Sequence, residues 1–165
     1  ARLIENINEK LRRYAVKAEQ IKIEVTERGF IDVAKTTPVI QAFREAGYEI
    51  AIDDFGTGYS NLNNLHALNV DVLKIDKSFV DMLTSNTTSH MIAEHIIQMA
   101  NSLRLKIVAE GVETAGQVAW LQKRGVQYCQ GWHFAKAMPP QEFMQWLAND
   151  RISLCPYQQP YQAEI

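Results

Sequence analysis

The stretch Tyr48-Glu49-Ile50-Ala51-Ile52-Asp53-Asp54-Phe55-Gly56-Thr57-Gly58-Tyr59-Ser60 decides how this chain is read. An apolar run ends on two adjacent carboxylates and two glycines, and a leucine-spaced segment (Leu62, Leu65, Leu68) follows. Successive side chains of a strand point to opposite faces, so neighbouring aspartates converge on one ligand only where the strand ends and the backbone turns. Gly56 and Gly58 are expected to supply that turn, because glycine accepts positive φ and close backbone approach. Ser60 stands where the N-cap of a short helix over about 61–68 would sit. Two readings are open here: a βα loop whose aspartates cap a helix, or a strand-end carboxylate pair that holds a ligand.

The same unit recurs on both sides of this turn. Leu3, Ile4, Ile7, Leu11, Tyr14 and Ala15 fall at helical spacing, which predicts an amphipathic helix from Ala1 to about Ala18. Ile21, Ile23 and Val25 alternate, which predicts a strand over Gln20–Val25 that Thr26-Glu27-Arg28-Gly29 closes. A helix from about Thr37 to Ala46, stopped by Gly47, leads into the strand Tyr48–Asp53. Downstream, Val70–Asp76 reads as a third strand. A helix over Thr88–Leu103 follows, with Ile92, Ile96, Met99 and Leu103 on its apolar face. Lys106–Gly111 reads as a fourth strand, Thr114–Lys123 as a helix stopped at Gly125, and Val126–Gly131 as a fifth strand. Pro139-Pro140 open a last helix carrying Phe143, Trp146 and Leu147, since the first turn of a helix needs no N–H from proline. Residues 151–165 lack periodicity and read as a peripheral tail on a single domain over residues 1–150.

Strands alternating with helices at short spacing predict a parallel sheet with helical crossovers. An open doubly wound sheet gathers its site at one switch point, whereas a barrel draws on the ends of many strands. Here nearly every predicted strand ends on a group capable of chemistry: Glu24 with Glu27, Asp53 with Asp54, Lys74 with Asp76, Glu110 with Glu113, and Gln130. The fold class expected is therefore α/β, a TIM-type (β/α)8 barrel. Five strands do not close such a barrel, so it is expected to be N-terminally incomplete, with its first strands preceding Ala1.

A chain of 165 residues that is 47% hydrophobic is large enough for one domain with a real core. Its formal net charge of −2, without a basic stripe, argues against DNA or RNA polymers as partners. Cys129 and Cys155 show no ligand-like spacing and read as reduced, unpaired thiols. No apolar run is long enough to span a bilayer, so any membrane anchor is expected before Ala1.

If Glu24, Asp53, Asp54 and Glu110 meet at one mouth, their charges need protons or cations. Two carboxylates about 4 Å apart repel by roughly 4 kcal/mol at an effective dielectric near 20. All-oxygen donors favour Mg²⁺, Mn²⁺ or Ca²⁺ over zinc, and a carboxylate shared between two ions marks a two-metal phosphoryl site. Lys74, the lone cation of the set, would steady a phosphate or act as a Schiff-base amine. Blander readings stand beside these. Glu27 and Glu113 would be loop or capping acids, Asp76 would cap a helix beginning near Lys77, and Gln130 would be a buried amide satisfying backbone. Tyr59, Trp132 and Phe134 would be core or rim rather than ligand stackers. His66, His90, His95 and His133 do not fall on strand ends in ligand-like pairs, His133 being the nearest exception.

Five segments together, Glu24-Val25-Thr26-Glu27, Asp53 to Gly58, Leu73-Lys74-Ile75-Asp76, Ala109 to Thr114 and Gln130 to Ala135, resemble the ordered motifs of the EAL-domain phosphodiesterases. The resemblance runs from the first helix to about Leu147. It implies a modified (β/α)8 barrel with an antiparallel first strand, and hydrolysis of cyclic di-GMP to linear pGpG with two Mg²⁺ or Mn²⁺ ions. An EAL-like module that binds cyclic di-GMP without hydrolysing it is the alternative. By position, the resemblance makes Glu24 and Asp53 ligands of the first metal, with Asp53 bridging to a second that Asp54 completes. It assigns Lys74 to the water and phosphate, Glu110 to metal, water or general-base work, Gln130 to orienting that site, and Glu27 to steadying the Asp-Asp loop. The Asp53–Ser60 loop is implied as a homodimer and control element. The Glu-Ala-Leu segment that names the family, and a later strand-end asparagine, would precede this stretch, so the 165 residues alone are expected to be inactive. The surroundings of Arg28-Gly29-Phe30 resemble a membrane-anchored branch, implying a cytoplasmic domain of a protein held in the bacterial inner membrane.

Overall fold

The computed structural model describes residues 2–26, 32–56, 68–83 and 88–148. Along the chain these form α1 (Arg2–Arg13), a 3-10 turn (Ala18–Gln20), β1 (Lys22–Thr26), α2 (Val33–Glu45), β2 (Glu49–Phe55) and β3 (Val72–Ile75). Then come α3 (Lys77–Asp81), α4 (Thr88–Ser102), β4 (Lys106–Ala109), α5 (Ala115–Lys123), β5 (Tyr128–Cys129) and α6 (Pro140–Ala148). Glu27, Arg28-Gly29-Phe30, Gly58, Tyr59, Ser60, the helix expected over 61–68 apart from Leu68, His66, Cys155 and the tail 151–165 lie outside the described residues.

The five strands form one parallel sheet in the order β1-β2-β3-β4-β5. Among the described strands the spatial order follows the sequence without reversal and shows no switch point, as in the wall of a barrel rather than a doubly wound sheet. Alternation sorts the side chains into two layers. Ile50 and Ile52 of β2, Leu73 and Ile75 of β3, and Ile107 of β4 form one apolar layer against the helices, each at most 1% exposed. Burying a side chain of this size contributes about 1.5–3 kcal/mol. The opposite face carries Glu24, Asp53 and Lys74, with Ala51 and Val72 between them in the ladder.

Several boundaries differ from expectation for local reasons. α1 ends at Arg13 because Ala15 adopts φ 54° and the Val16 N–H turns back to the Leu11 carbonyl at 2.9 Å. α2 begins four residues early, at Val33, because Asp32 caps it by accepting from the Lys35 N–H at 3.2 Å, which leaves Pro38 inside the helix. β3 and β5 begin late because side chains take the place of backbone acceptors at the sheet's lower edge. The Ile50 N–H donates to Asp71 Oδ2 at 2.9 Å, and the Ile107 N–H donates to Gln127 Oε1 at 2.7 Å.

The apolar face of α4 is also corrected. Of the expected residues, Ile96 is buried and Met99 packs against the core, but Ile92 and Leu103 are exposed, and the buried stripe is Ala93, Ile96, Ile97 and Ala100. The spacing i, i+3, i+4, i+7 is satisfied by the two alanines, whose small size lets the helix approach closely. Likewise Leu3 of α1 and Tyr14 just beyond it face solvent, and Ile4, Ile7 and Leu11 pack on the core.

Candidate active site

The aspartate pair sits on a β-bulge. Ile52 pairs with Leu73 and Phe55 pairs with Ile75, so Asp53 and Asp54 together oppose the single residue Lys74. The strand therefore continues through the pair to Phe55, two residues beyond the expected end at Asp53, before the chain turns at Gly56. Asp54 itself supplies the reversal, at φ 56°, and its N–H donates to Asp53 Oδ1 at 3.1 Å. Aspartate visits this left-handed region more readily than most residues because its short side chain bonds locally. Gly56 follows at φ 97°, where a Cβ would stand 2.9 Å from the Phe79 ring.

Lys74 is 7% exposed and lies at the centre of the polar face. Its Nζ contacts Glu24 Oε2 at 2.8 Å, Asp53 Oδ1 at 2.9 Å and Glu110 Oε1 at 2.9 Å. Burial works against its charge, but the hydrogen bonds to Glu110, Glu24 and Asp53 outweigh burial and raise its pKa above the ordinary lysine value. A Schiff-base amine needs a neutral lysine, so this environment disfavours that role. Four expected residues, from β1, β2, β3 and the end of β4, are thus brought together, with Asp54 exposed beside them.

The other candidates are placed differently. Gln130 is exposed rather than a buried amide. Its N–H donates to the Ala109 carbonyl at 2.8 Å, its carbonyl accepts from Val112 at 3.0 Å, and it lines a cavity of about 640 Å³ together with Glu110 and Trp132. Glu113 is held by Lys77 at 2.7 Å instead of joining the cluster around Lys74. Asp76 caps α3 by accepting from the Ser78 N–H at 2.9 Å. His90 accepts from Trp120 Nε1 at 2.8 Å and His133 lies edge-on to Phe134, so neither joins the carboxylates. Trp132 and Phe134 are exposed, and Trp132 lines the cavity. Lys77, which also lines the cavity, was invisible to sequence reasoning; the one signal that could have found it is Gly111, whose missing side chain leaves room for the lysine.

The donor set suits a hard divalent cation: three carboxylates converge on one positive charge, and each gives Lys74 one oxygen while keeping a second. Among the described residues, no three His, Cys, Asp or Glu side chains are gathered closely enough to hold an ion as they stand. The ammonium of Lys74 stands at the point on which the three carboxylates converge. No described helix is long and apolar enough to cross a membrane.

Comparison with known proteins agrees with this architecture. The EAL domain family model matches residues 1–137. The probable cyclic di-GMP phosphodiesterase PdeB of Escherichia coli K12 is 49% identical over 140 residues, which cover 85% of this chain and 26% of that protein. Among solved structures, the PaMucR phosphodiesterase in complex with c-di-GMP superposes with a TM-score of 0.81 at 34% identity, over 87% of this chain and 58% of that one. The manganese and cyclic di-GMP complex of Klebsiella pneumoniae BlrP1 gives 0.74 at 34% identity, over 81% of this chain and 34% of that one. The chain therefore spans only part of the proteins it matches. With five parallel strands in barrel order and a family match over most of its length, the chain belongs to the EAL domain family.

Proposed function

We propose that this chain forms the catalytic face of a divalent-metal-dependent phosphodiesterase that hydrolyses cyclic di-GMP to linear pGpG. The observation that carries the reading is the gathering of Glu24, Asp53 and Glu110 on Lys74 at the mouth of four adjacent parallel strands. The names of PdeB, PaMucR and BlrP1 supply the substrate, and the manganese complex of BlrP1 supports a divalent ion. The unit is assigned to residues 1–150, with 151–165 peripheral and the Asp53–Ser60 segment as a homodimer contact. Attachment to the inner membrane would come from a region outside this chain.

Glu24, Asp53, Asp54 and Glu110 would hold two Mg²⁺ or Mn²⁺ ions, which when bound activate water and neutralise charge on the phosphate. Lys74, kept cationic by its surroundings, steadies a non-bridging phosphate oxygen as negative charge grows there. Glu110 accepts the proton of the attacking water, and Gln130 orients that water across the cavity edge. Water oxygen bonds to phosphorus, one ester P–O bond breaks in line, and the departing ribose oxygen takes up a proton from solvent, to which Glu110 later returns the one it accepted. Glu27 would steady the Asp-Asp loop.

The test is to incubate the full-length protein with cyclic di-GMP, with and without Mg²⁺ or Mn²⁺, and to follow pGpG. Metal-dependent product that is abolished by EDTA and by Asp53→Asn supports the reading. Tight binding without turnover would replace it with a binding module.

A further inference from the structure

Lys77 opens α3 directly after its Asp76 cap, and the chemistry above makes no use of it. Its side chain lies across Gly111, where a Cβ would stand 2.3 Å from Lys77 Cγ and 2.6 Å from Cδ. The aliphatic stem is thus seated on the backbone of the residue that follows Glu110. Past that glycine, the ammonium donates to Glu113 Oε1 at 2.7 Å and to Asp81 Oδ1 at 2.8 Å. Gly111 itself adopts φ 67°, a conformation that most residues resist.

The rest of the loop after β4 is fixed by hydrogen bonds. The Glu110 N–H donates to the Ile75 carbonyl and the Val112 N–H to the Gln130 carbonyl, each at 3.0 Å. The N–H groups of Glu113 and Thr114 both donate to the buried Gln117 amide oxygen, at 2.8 and 2.9 Å, and Gln117 in turn donates to the Val80 carbonyl of α3. At Gly111 the lysine stem completes this set. The side chains of Lys77 and Glu113 are 47% and 42% exposed, so water screens their pairing and its weight in stability is small. Its effect is geometric.

We propose that Lys77 is a positioning residue for Glu110: by straddling Gly111 to reach Glu113, it fixes the backbone that aims the Glu110 carboxylate at the mouth of the sheet. This rests on the phosphodiesterase reading, in which Glu110 serves metal and water. A hydrogen bond at Glu110 N–H fixes where the residue starts, and the lysine fixes where the chain leaves it. Without the lysine, only the hydrogen bonds at Glu110 and Val112 bracket the glycine, and the carboxylate moves with whatever backbone freedom they leave at Gly111.

The experiment compares Lys77→Met, Lys77→Arg, Glu113→Gln and the double variant Lys77→Met/Glu113→Gln in the full-length protein. Cyclic di-GMP turnover is measured, together with Mn²⁺ binding by calorimetry without substrate. Lys77→Met is expected to lower kcat about tenfold with little change in KM, and to weaken Mn²⁺ binding by a similar factor. Lys77→Arg restores most of both, and the double variant is no worse than the more damaged single one, because the two residues act as a unit. Lys77→Met with kcat and Mn²⁺ affinity within about twofold of wild type would overturn the proposal, as would additive losses in the double variant or a failure of Arg to rescue. A lower melting temperature with unchanged Mn²⁺ affinity would show a purely structural role and overturn it as well. Wild type that binds Mn²⁺ without hydrolysing cyclic di-GMP removes the phosphodiesterase reading alone and leaves the Mn²⁺ arm to decide on Lys77. Wild type that does neither overturns both.

Discussion

Gly131→Ala tests the packing of the two loops that carry Glu110 and Gln130. A Cβ at Gly131 would stand 2.2 Å from the Val112 carbonyl oxygen, 2.3 Å from its nitrogen and 2.8 Å from its carbonyl carbon. These are backbone atoms, so no rotamer change relieves the clash, and one loop must move by roughly 1 Å to restore van der Waals contact. The Val112 peptide is held on both sides: its N–H donates to Gln130 at 3.0 Å and its carbonyl accepts from His133 at 2.9 Å. Losing two such bonds costs about 1 kcal/mol each, and the overpacking adds about 1–3 kcal/mol, for a total of about 3–5 kcal/mol. At about 2–4 °C per kcal/mol in a domain of this size, the melting temperature should fall by roughly 10 °C. Gly116→Ala is the matched control. The nearest atom to its new Cβ is Thr114 Oγ1 at 3.9 Å, and within α5 alanine should gain up to about 1 kcal/mol. Thermal unfolding by circular dichroism reads both. A Gly131→Ala domain that melts within about 2 °C of wild type would refute the claim that these loops are in rigid backbone contact.

Two further outcomes follow from the bulge and the buried lysine. Asp54→Gly should keep or gain up to about 1 kcal/mol of stability by relieving the left-handed backbone, yet abolish metal-dependent turnover. Urea titration beside the hydrolysis assay checks it, and a clearly destabilised variant would contradict the account of the bulge. For Lys74, burial opposes its charge, and the hydrogen bonds to Glu110, Glu24 and Asp53 win, so its folded-state pKa lies above the ordinary 10.5. A raised value contributes stability that is fully present below the unfolded pKa and is lost as pH rises through the folded one. The stability difference between wild type and Lys74→Met should therefore stay level from about pH 7 to 10 and narrow only at higher pH. Urea denaturation across that range checks it, and narrowing already near neutrality would contradict the pairing.

Much of this site was legible because barrel chemistry follows strand ends. Glu24, Asp53, Lys74 and Glu110 lie where strand alternation puts them, and the structure brings all four to one point. The bulge was not legible, since it depends on a register mismatch between β2 and β3 that no single segment records. Strand starts were misjudged for a related reason: Asp71 and Gln127 satisfy backbone N–H groups of neighbouring strands with their side chains, a tertiary substitution with no local signature. On α4, counting isoleucine, methionine and leucine found Ile96 and Met99 but also pointed to the exposed Ile92 and Leu103, because the small Ala93 and Ala100 take the buried positions. Lys77 was missed because a long exposed cation at a helix start reads as solvated until the glycine beneath it is seen.

The polar face of the sheet also bears on how the strands find one another. β1 pairs with Lys22 opposite Glu49, Glu24 opposite Ala51 and Thr26 opposite Asp53, and Lys22 closes an ion pair to Glu49 at 3.2 Å. Sliding β1 by two residues in one direction would set Glu24 against Glu49, and sliding it in the other would set Glu24 against Asp53. Either slip opposes two carboxylates and breaks the Lys22 pair, while a slip of one residue turns Glu24 into the apolar layer of Ile50 and Ile52. The carboxylates assigned above to catalysis therefore also act as an alignment code. Neutralising Glu24 would remove a proposed ligand and, in the same stroke, an obstacle to mispairing at the edge of the sheet.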